Sequence, residues 1–235
     1  MDKPFIKSEI SFAQTLKESN LTEIGLNAGE IVIDSIIDDG LLKEIPIIST
    51  IVGLVKTTSD LGNMQFLKKI VYFLSGIKDV SPKRRYEMIA EIDNSPKYKI
   101  KVGEKLLYII NRCDDHEKAS LVAELFKAFL NKEIEYGDFL RGSSILHSIY
   151  VDDLEAFLEL NENNLYAEDV LPFVSLGLCS IVFAIPKLNH HEQIDWDDGP
   201  EYYSIDEGES LGVITDIGGK LRKIFNKYKE YEQKH

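Results

Sequence analysis

Cysteine is scarce in this chain of 235 residues: there are two, Cys113 and Cys179, and they form no CxxC pair. That excludes a disulfide framework and the cysteine-rich zinc patterns. Long apolar runs are missing too. No stretch reaches the 18 or more apolar residues of a spanning helix. The start, Met1-Asp2-Lys3-Pro4, lacks the basic-then-apolar order of a secretory leader. These features predict a reduced, cytoplasmic chain. Positive charge is the third shortage, and it is local. Residues 133–212 hold 18 acidic side chains and only 2 basic ones, Arg141 and Lys187, a net of −16 in a chain whose total is −13. Such a block repels phosphate, which argues against nucleic acid and suits either a solvated face or the docking face for a basic protein.

Recognisable catalytic patterns are also lacking. Gly218-Gly219-Lys220 is not the Gly-x4-Gly-Lys-Ser/Thr of a phosphate loop and reads as a helix start. His116 and His147 stand alone, and both cysteines sit beside apolar residues, so no nucleophile–base pair is signalled. His190-His191 with Glu192, Asp195, Asp197 and Asp198 offers mixed nitrogen and oxygen donors, but without the ladder of an EF-hand or the spacing of a zinc motif. It reads as a solvated acidic loop. The expectation is no catalytic residue, no metal and no cofactor. Lys83-Arg84-Arg85 reads as a basic surface or partner contact at a helix start.

What is present begins with an uncharged stretch of eleven residues, Ile45-Pro46-Ile47-Ile48-Ser49-Thr50-Ile51-Val52-Gly53-Leu54-Val55, led in by Leu41 and Leu42 and closed by Lys56. Pro46 suits a first helical turn. The apolar positions leave little polar face, as in a buried helix. The alternative is a membrane-active segment or oligomer seam made of Leu41, Leu42, Ile45, Ile47, Ile48, Ile51, Val52, Leu54 and Val55. As a helix the stretch extends about 16 Å, half a hydrocarbon core. A membrane role therefore requires that something first pull it out of the protein.

Helical spacing of apolar residues dominates to about residue 162, with connections short enough for antiparallel neighbours. Helices are predicted over much of residues 1–20 and 28–40, through the uncharged stretch, and across residues 66–74. Ser81-Pro82 and Ser95-Pro96 predict two further starts, and Asp114 or Asp115 another. Residues 136–160 read as one long or kinked helix, or two. A short helix over 169–178 follows. Strands are then expected at 181–185, 201–205 and 211–214, with a long polar loop over 187–200, and Thr215 caps a last helix. The predicted fold class is mainly α: a helical bundle-like domain over 1–162, then a small α+β winged-helix-like unit over 163–235.

The pieces Leu176-Gly177-Leu178, Val213-Ile214-Thr215 and Gly218-Gly219-Lys220-Leu221, preceded by a helical region, resemble the C-terminal arrangement of the abortive-infection alpha family of bacterial phage-defence proteins. The resemblance spans residues 115–225. The acidic stretch 192–209 departs from a DNA-binding wing. What the resemblance implies, joined to the apolar stretch, is a non-enzymatic defence effector. A protein partner, such as a phage-derived trigger, would set it off, and it would homo-oligomerise and relocate to disturb the inner membrane. The alternative is a soluble adaptor, regulatory or immunity protein that binds a basic protein through Glu192, Asp195, Asp197, Asp198, Glu201, Asp206, Glu207 and Glu209.

Overall fold

The computed structural model describes residues 3–22, 24, 42–58, 61–161, 165–191, 202–206 and 208–232. Among these the chain is mainly helical, with a small strand region near the C-terminus. The helix expected over residues 28–40 lies outside the described residues. The chain divides into two compact units, Met1–Val151 with Lys223–His235, and Asp152–Arg222.

In the first unit, α1 (Lys3–Glu18), a 3-10 turn (Leu42–Glu44), α2 (Pro46–Thr58), α3 (Leu61–Gly76), α4 (Pro82–Asp93), α5 (Val102–Asn111), α6 (His116–Leu130) and α7 (Tyr136–Ser148) follow in order. Helix α3 packs against α6. A Cβ on Gly76 would stand 2.6 Å from the Ala123 Cβ, so the missing side chain sets that approach. Aromatic rings link the helices through the core. Phe12 of α1 meets Phe73 of α3 at 6.0 Å, Phe73 meets Phe126 of α6 at 5.9 Å, and Phe126 meets Phe139 of α7 at 5.4 Å. Rings at such spacings add to the area they bury.

The helix ends follow local chemistry. Ser81 caps α4, accepting from the Arg84 amide with Pro82 at the first helical position. Asp115 caps α6 through the Lys118 amide at 2.9 Å. The start expected at Ser95-Pro96 is instead a turn, and α5 begins at Val102. The reason is Asp93. Its carboxylate accepts the Val102 amide at 2.8 Å and pairs with Lys17 at 2.9 Å, so the first free donor of α5 is met there. Residues 136–160 form two helices, broken at Ile149, whose extended backbone ends α7.

Arg85 corrects the surface reading of the basic cluster. It is wholly buried, and its guanidinium donates to the carbonyls of Leu16, Ser19 and Val80. Burial lowers its pKa to about 10, so it stays charged at neutral pH. Arg84 donates to the Leu130 carbonyl at 2.6 Å. Lys83 alone of the three extends fully into solvent.

The second unit contains α8 (Val151–Glu159) from its second residue, α9 (Ala167–Val174), β1 (Cys179–Val182), β2 (Lys187–His191), β3 (Tyr202–Asp206), β4 (Leu211–Ile214) and the start of α10 (Asp216–Glu232). The strands form two separate antiparallel pairs, β1 with β4 and β2 with β3. Phe157 and Phe173, 5.4 Å apart, centre a core with Val170, Leu178, Ile217 and Leu221. Arg222 closes the end of α8 by donating to the carbonyls of Leu158 and Leu160. The expected loop over 187–200 opens instead with strand β2. Its residues Lys-Leu-Asn-His-His are polar as a string but find backbone partners on β3.

Candidate functional site

The predicted membrane-active segment lies in the core of the first unit. Ile45, Ile47, Ile48, Ile51, Val52 and Val55 are buried, Leu42 and Leu54 are half-buried, and Leu41 lies outside the described residues. Thr15 of α1 is buried and accepts the Ile47 amide at 3.1 Å, while its own hydroxyl donates to the Ser11 carbonyl. One side chain thus satisfies the first turn of α2 from across the packing interface. Among the described residues no helix is long and apolar enough to cross a membrane.

Of the predicted acidic face, Asp206 and Glu209 are exposed, while Glu192, Asp195, Asp197, Asp198, Glu201 and Glu207 lie outside the described residues. The strands beside them show what the sequence did not signal. In the β2–β3 ribbon Leu188 pairs with Ile205, and His190 with Tyr203. Directly opposed residues share a face, so these four form one side of the ribbon. Leu188, Ile205 and Tyr203 are 66%, 67% and 63% exposed. The His190 and Tyr203 rings stack at 4.7 Å. Val182, Phe183 and Ile185, on the segment leading into β2, are exposed as well. The opposite face is polar, with Lys187 across from Asp206 and Asn189 across from Ser204. At the base of the ribbon Gly208 adopts a φ of +62°, and a Cβ there would meet Ala184 at 2.6 Å. A two-stranded ribbon leaves one edge of each strand without a partner in the pair, beside this exposed apolar face.

Gly177, Leu178, Thr215 and Gly218 meet in space. The Thr215 hydroxyl contacts the carbonyls of Gly177 and Leu178 at 2.7 and 3.0 Å, and Thr215 accepts the Gly218 amide at 3.2 Å. A Cβ on Gly218 would stand 2.2 Å from the Leu178 carbonyl oxygen. Thr215 therefore caps α10, as the sequence predicts, and Gly218 lets α10 sit directly on the turn between α9 and β1. This cluster ties the start of α10 to the turn ahead of β1. Lys220 pairs with Asp216 at 2.8 Å.

The chain matches no protein-family model, and no curated protein or solved structure is significantly similar to it.

A second feature belongs to the first unit. A cleft of about 230 Å³ opens between α5, α6 and α7, lined by Lys105, Tyr108, Arg112, Lys118, Ser143 and His147 among others. The Arg112 guanidinium donates to the Tyr108 hydroxyl at 2.6 Å and to the His147 ring nitrogen Nε2 at 2.7 Å. Arginine only donates, so Nε2 accepts and the ring proton sits on Nδ1. His147, isolated in the sequence, thus has a partner 35 positions away. His116 instead packs its ring on Tyr72. Cys113 also borders the cleft. Burial pushes its thiol up to about 11, outweighing the nearby ammonium groups of Lys69 and Lys118, so it is no thiolate nucleophile at neutral pH. Cys179 is buried and its thiol is likewise raised by burial. Among the described residues no group of three or more His, Cys, Asp or Glu side chains is placed to hold a metal ion. The signal for the cleft was spacing: Lys105, Tyr108 and Arg112 recur at i, i+3 and i+7 on one face of α5, and Ser143 and His147 at i and i+4 on α7.

Proposed function

We propose that this protein is a non-enzymatic binding protein whose C-terminal ribbon docks a basic protein partner. The observation that carries this reading is the exposed apolar face of β2–β3, with Leu188 paired to Ile205 and His190 stacked on Tyr203. A lone two-stranded ribbon is marginally stable, and exposing this much apolar side chain on it is offset when a partner covers it. Charge supports the sign of that partner. The segment 192–201 that joins the strands carries five acidic residues and no basic one, and Asp206 and Glu209 add exposed carboxylates. Apolar side chains supply adhesion, and an acidic stretch of sequence beside them supplies selection and steering.

In this reading the C-terminal unit is winged-helix-like, with the ribbon as its wing, and an acidic wing takes protein rather than nucleic acid. A sensor or adaptor in a phage-defence system of the abortive-infection alpha type is one setting that suits such a module. The burial of α2 favours docking over membrane action as the primary activity.

The test compares captured partners. The intact protein and its Ile205→Asp variant serve as baits under matched conditions, across a salt series. Ile205 is exposed, so the variant should fold. A basic protein retained by the parent, lost with Ile205→Asp and released as salt rises supports the reading. Identical captures by both baits would overturn it.

A further inference from the structure

The cleft between α5, α6 and α7 is cationic in a way that the docking ribbon does not explain. Its two uncompensated cations are Lys105 and Arg112. Neither contacts a carboxylate among the described residues. Arg112 is held by the neutral Tyr108 and His147, and each cation lies over the Tyr108 ring, at 5.3 and 5.4 Å. Lys118, the third, is neutralised by Asp114 at 2.6 Å. The net charge lining the cleft is therefore positive even with Asp114 counted. Its remaining wall is apolar, built from Ile109, Val122, Leu140 and Leu146.

Ser143 supplies the independent observation. It is 4% exposed, lines the cleft, and its Oγ has no hydrogen-bond partner among the described residues. A buried hydroxyl left unpaired is destabilising. A ligand that reaches this residue from the cationic cleft would supply the missing partner.

We propose that this cleft binds a small phosphomonoester, with Arg112, Lys105 and Ser143 holding the phosphate and the aliphatic wall holding the ester group. A fork of guanidinium donors and an ammonium from α5 and its C-terminal end, with a hydroxyl from α7, suits three phosphoryl oxygens. A carboxylate would be saturated by the arginine fork alone. Tyr108, whose oxygen already accepts from Arg112, keeps its own proton to donate. Two of the three unpaired guanidinium sites are on the same nitrogens that bond Tyr108 and His147, so those neutral partners orient the fork without cancelling its charge. The volume sets the size. About 230 Å³ is below the roughly 300–1,000 Å³ of sites for drug-sized ligands, so the cleft takes one phosphate with a ring or short chain and not a dinucleotide.

Calorimetric titration of the full chain tests this, using phenyl phosphate, inorganic phosphate and benzoate as probes. Phenyl phosphate should bind with a sub-millimolar Kd, inorganic phosphate more weakly, and benzoate more weakly than phenyl phosphate. Arg112→Gln should weaken phenyl phosphate by about tenfold or more, the loss of one charge-assisted contact, and Ser143→Ala by several-fold. Arg112 is exposed, and circular dichroism checks its fold. Should that variant misfold, Lys105→Gln carries the same comparison. No binding of phenyl phosphate at millimolar concentration would overturn the proposal on the parent protein alone. Equal affinity for benzoate, or an unchanged affinity in a folded Arg112→Gln, would overturn it as well.

Discussion

Replacing Arg85 with Met should destabilise the protein by about 3–5 kcal/mol. The guanidinium is wholly buried and donates to three carbonyls, Leu16 and Ser19 at the end of α1 and Val80 ahead of α4. Met fills much of the same volume, so the cavity contribution is small and the hydrogen bonds dominate. Each acceptor stripped of its donor, two of them buried and that of Ser19 part-buried, is destabilising by about 1–3 kcal/mol, which places three at roughly 3–9 kcal/mol. The lower part of that range applies because the parent already bears the desolvation of a buried cation, seen in a pKa pulled down to about 10, and the variant does not. Arg85→Lys should fall between the two, since one ammonium cannot reproduce the planar fork. Urea unfolding, with a slope of about 1–3 kcal/mol/M, would register the Met variant as a midpoint lower by about 1 M or more. A loss below about 1 kcal/mol would refute the reasoning, because it would mean that water or a small shift satisfies the three carbonyls.

Other changes follow from single contacts. Gly218→Ala drives a methyl into the Leu178 carbonyl at 2.2 Å and should destabilise by about 1–3 kcal/mol or more; a thermal midpoint equal to the parent's would contradict that packing. Cys113, with its thiol at about 11, should hold a thiolate fraction at pH 8 roughly 200-fold below that of a free cysteine. Iodoacetamide should therefore label it slowly in the folded protein and readily once unfolded, and fast native labelling would count against burial. Glu9 has its pKa raised by burial and by the neighbouring Glu104. Between its unfolded and folded pKa the folded state binds the extra proton, so this group's contribution to stability falls as pH rises through that window. Glu9→Gln should accordingly melt higher than the parent at pH 7 and no higher at pH 4; a constant difference across that range would rule the mechanism out.

What the sequence disclosed was local. Ser81, Asp115 and Thr215 cap helices where their side chains predict, because each reaches an amide only three positions ahead. The uncharged stretch announced its burial through its own composition. Its six buried aliphatic side chains, at roughly 1.5–3 kcal/mol each, represent about 9–18 kcal/mol of burial. That is comparable to the 5–15 kcal/mol that stabilises a whole domain, so withdrawing α2 would amount to unfolding the first unit. What stayed hidden depended on distant groups. Ser95 lost its helix to Asp93, whose carboxylate sits at the Val102 amide. Arg85 looked solvated because the carbonyls that bury it come from residues up to 69 positions away. Strand β2 reads as polar loop until β3 stands beside it, and only their pairing gathers Leu188, Ile205 and Tyr203 on one face. The cleft draws on three helices, and no single stretch of sequence contains it.

Amide hydrogen exchange of the protein, alone and with a captured basic partner, tests the docking reading most directly. Exchange should slow along residues 187–191 and 202–206 on complex formation, and Ile205→Asp should reverse it. Protection confined to the first unit, with the ribbon exchanging as fast as in the free protein, would contradict it.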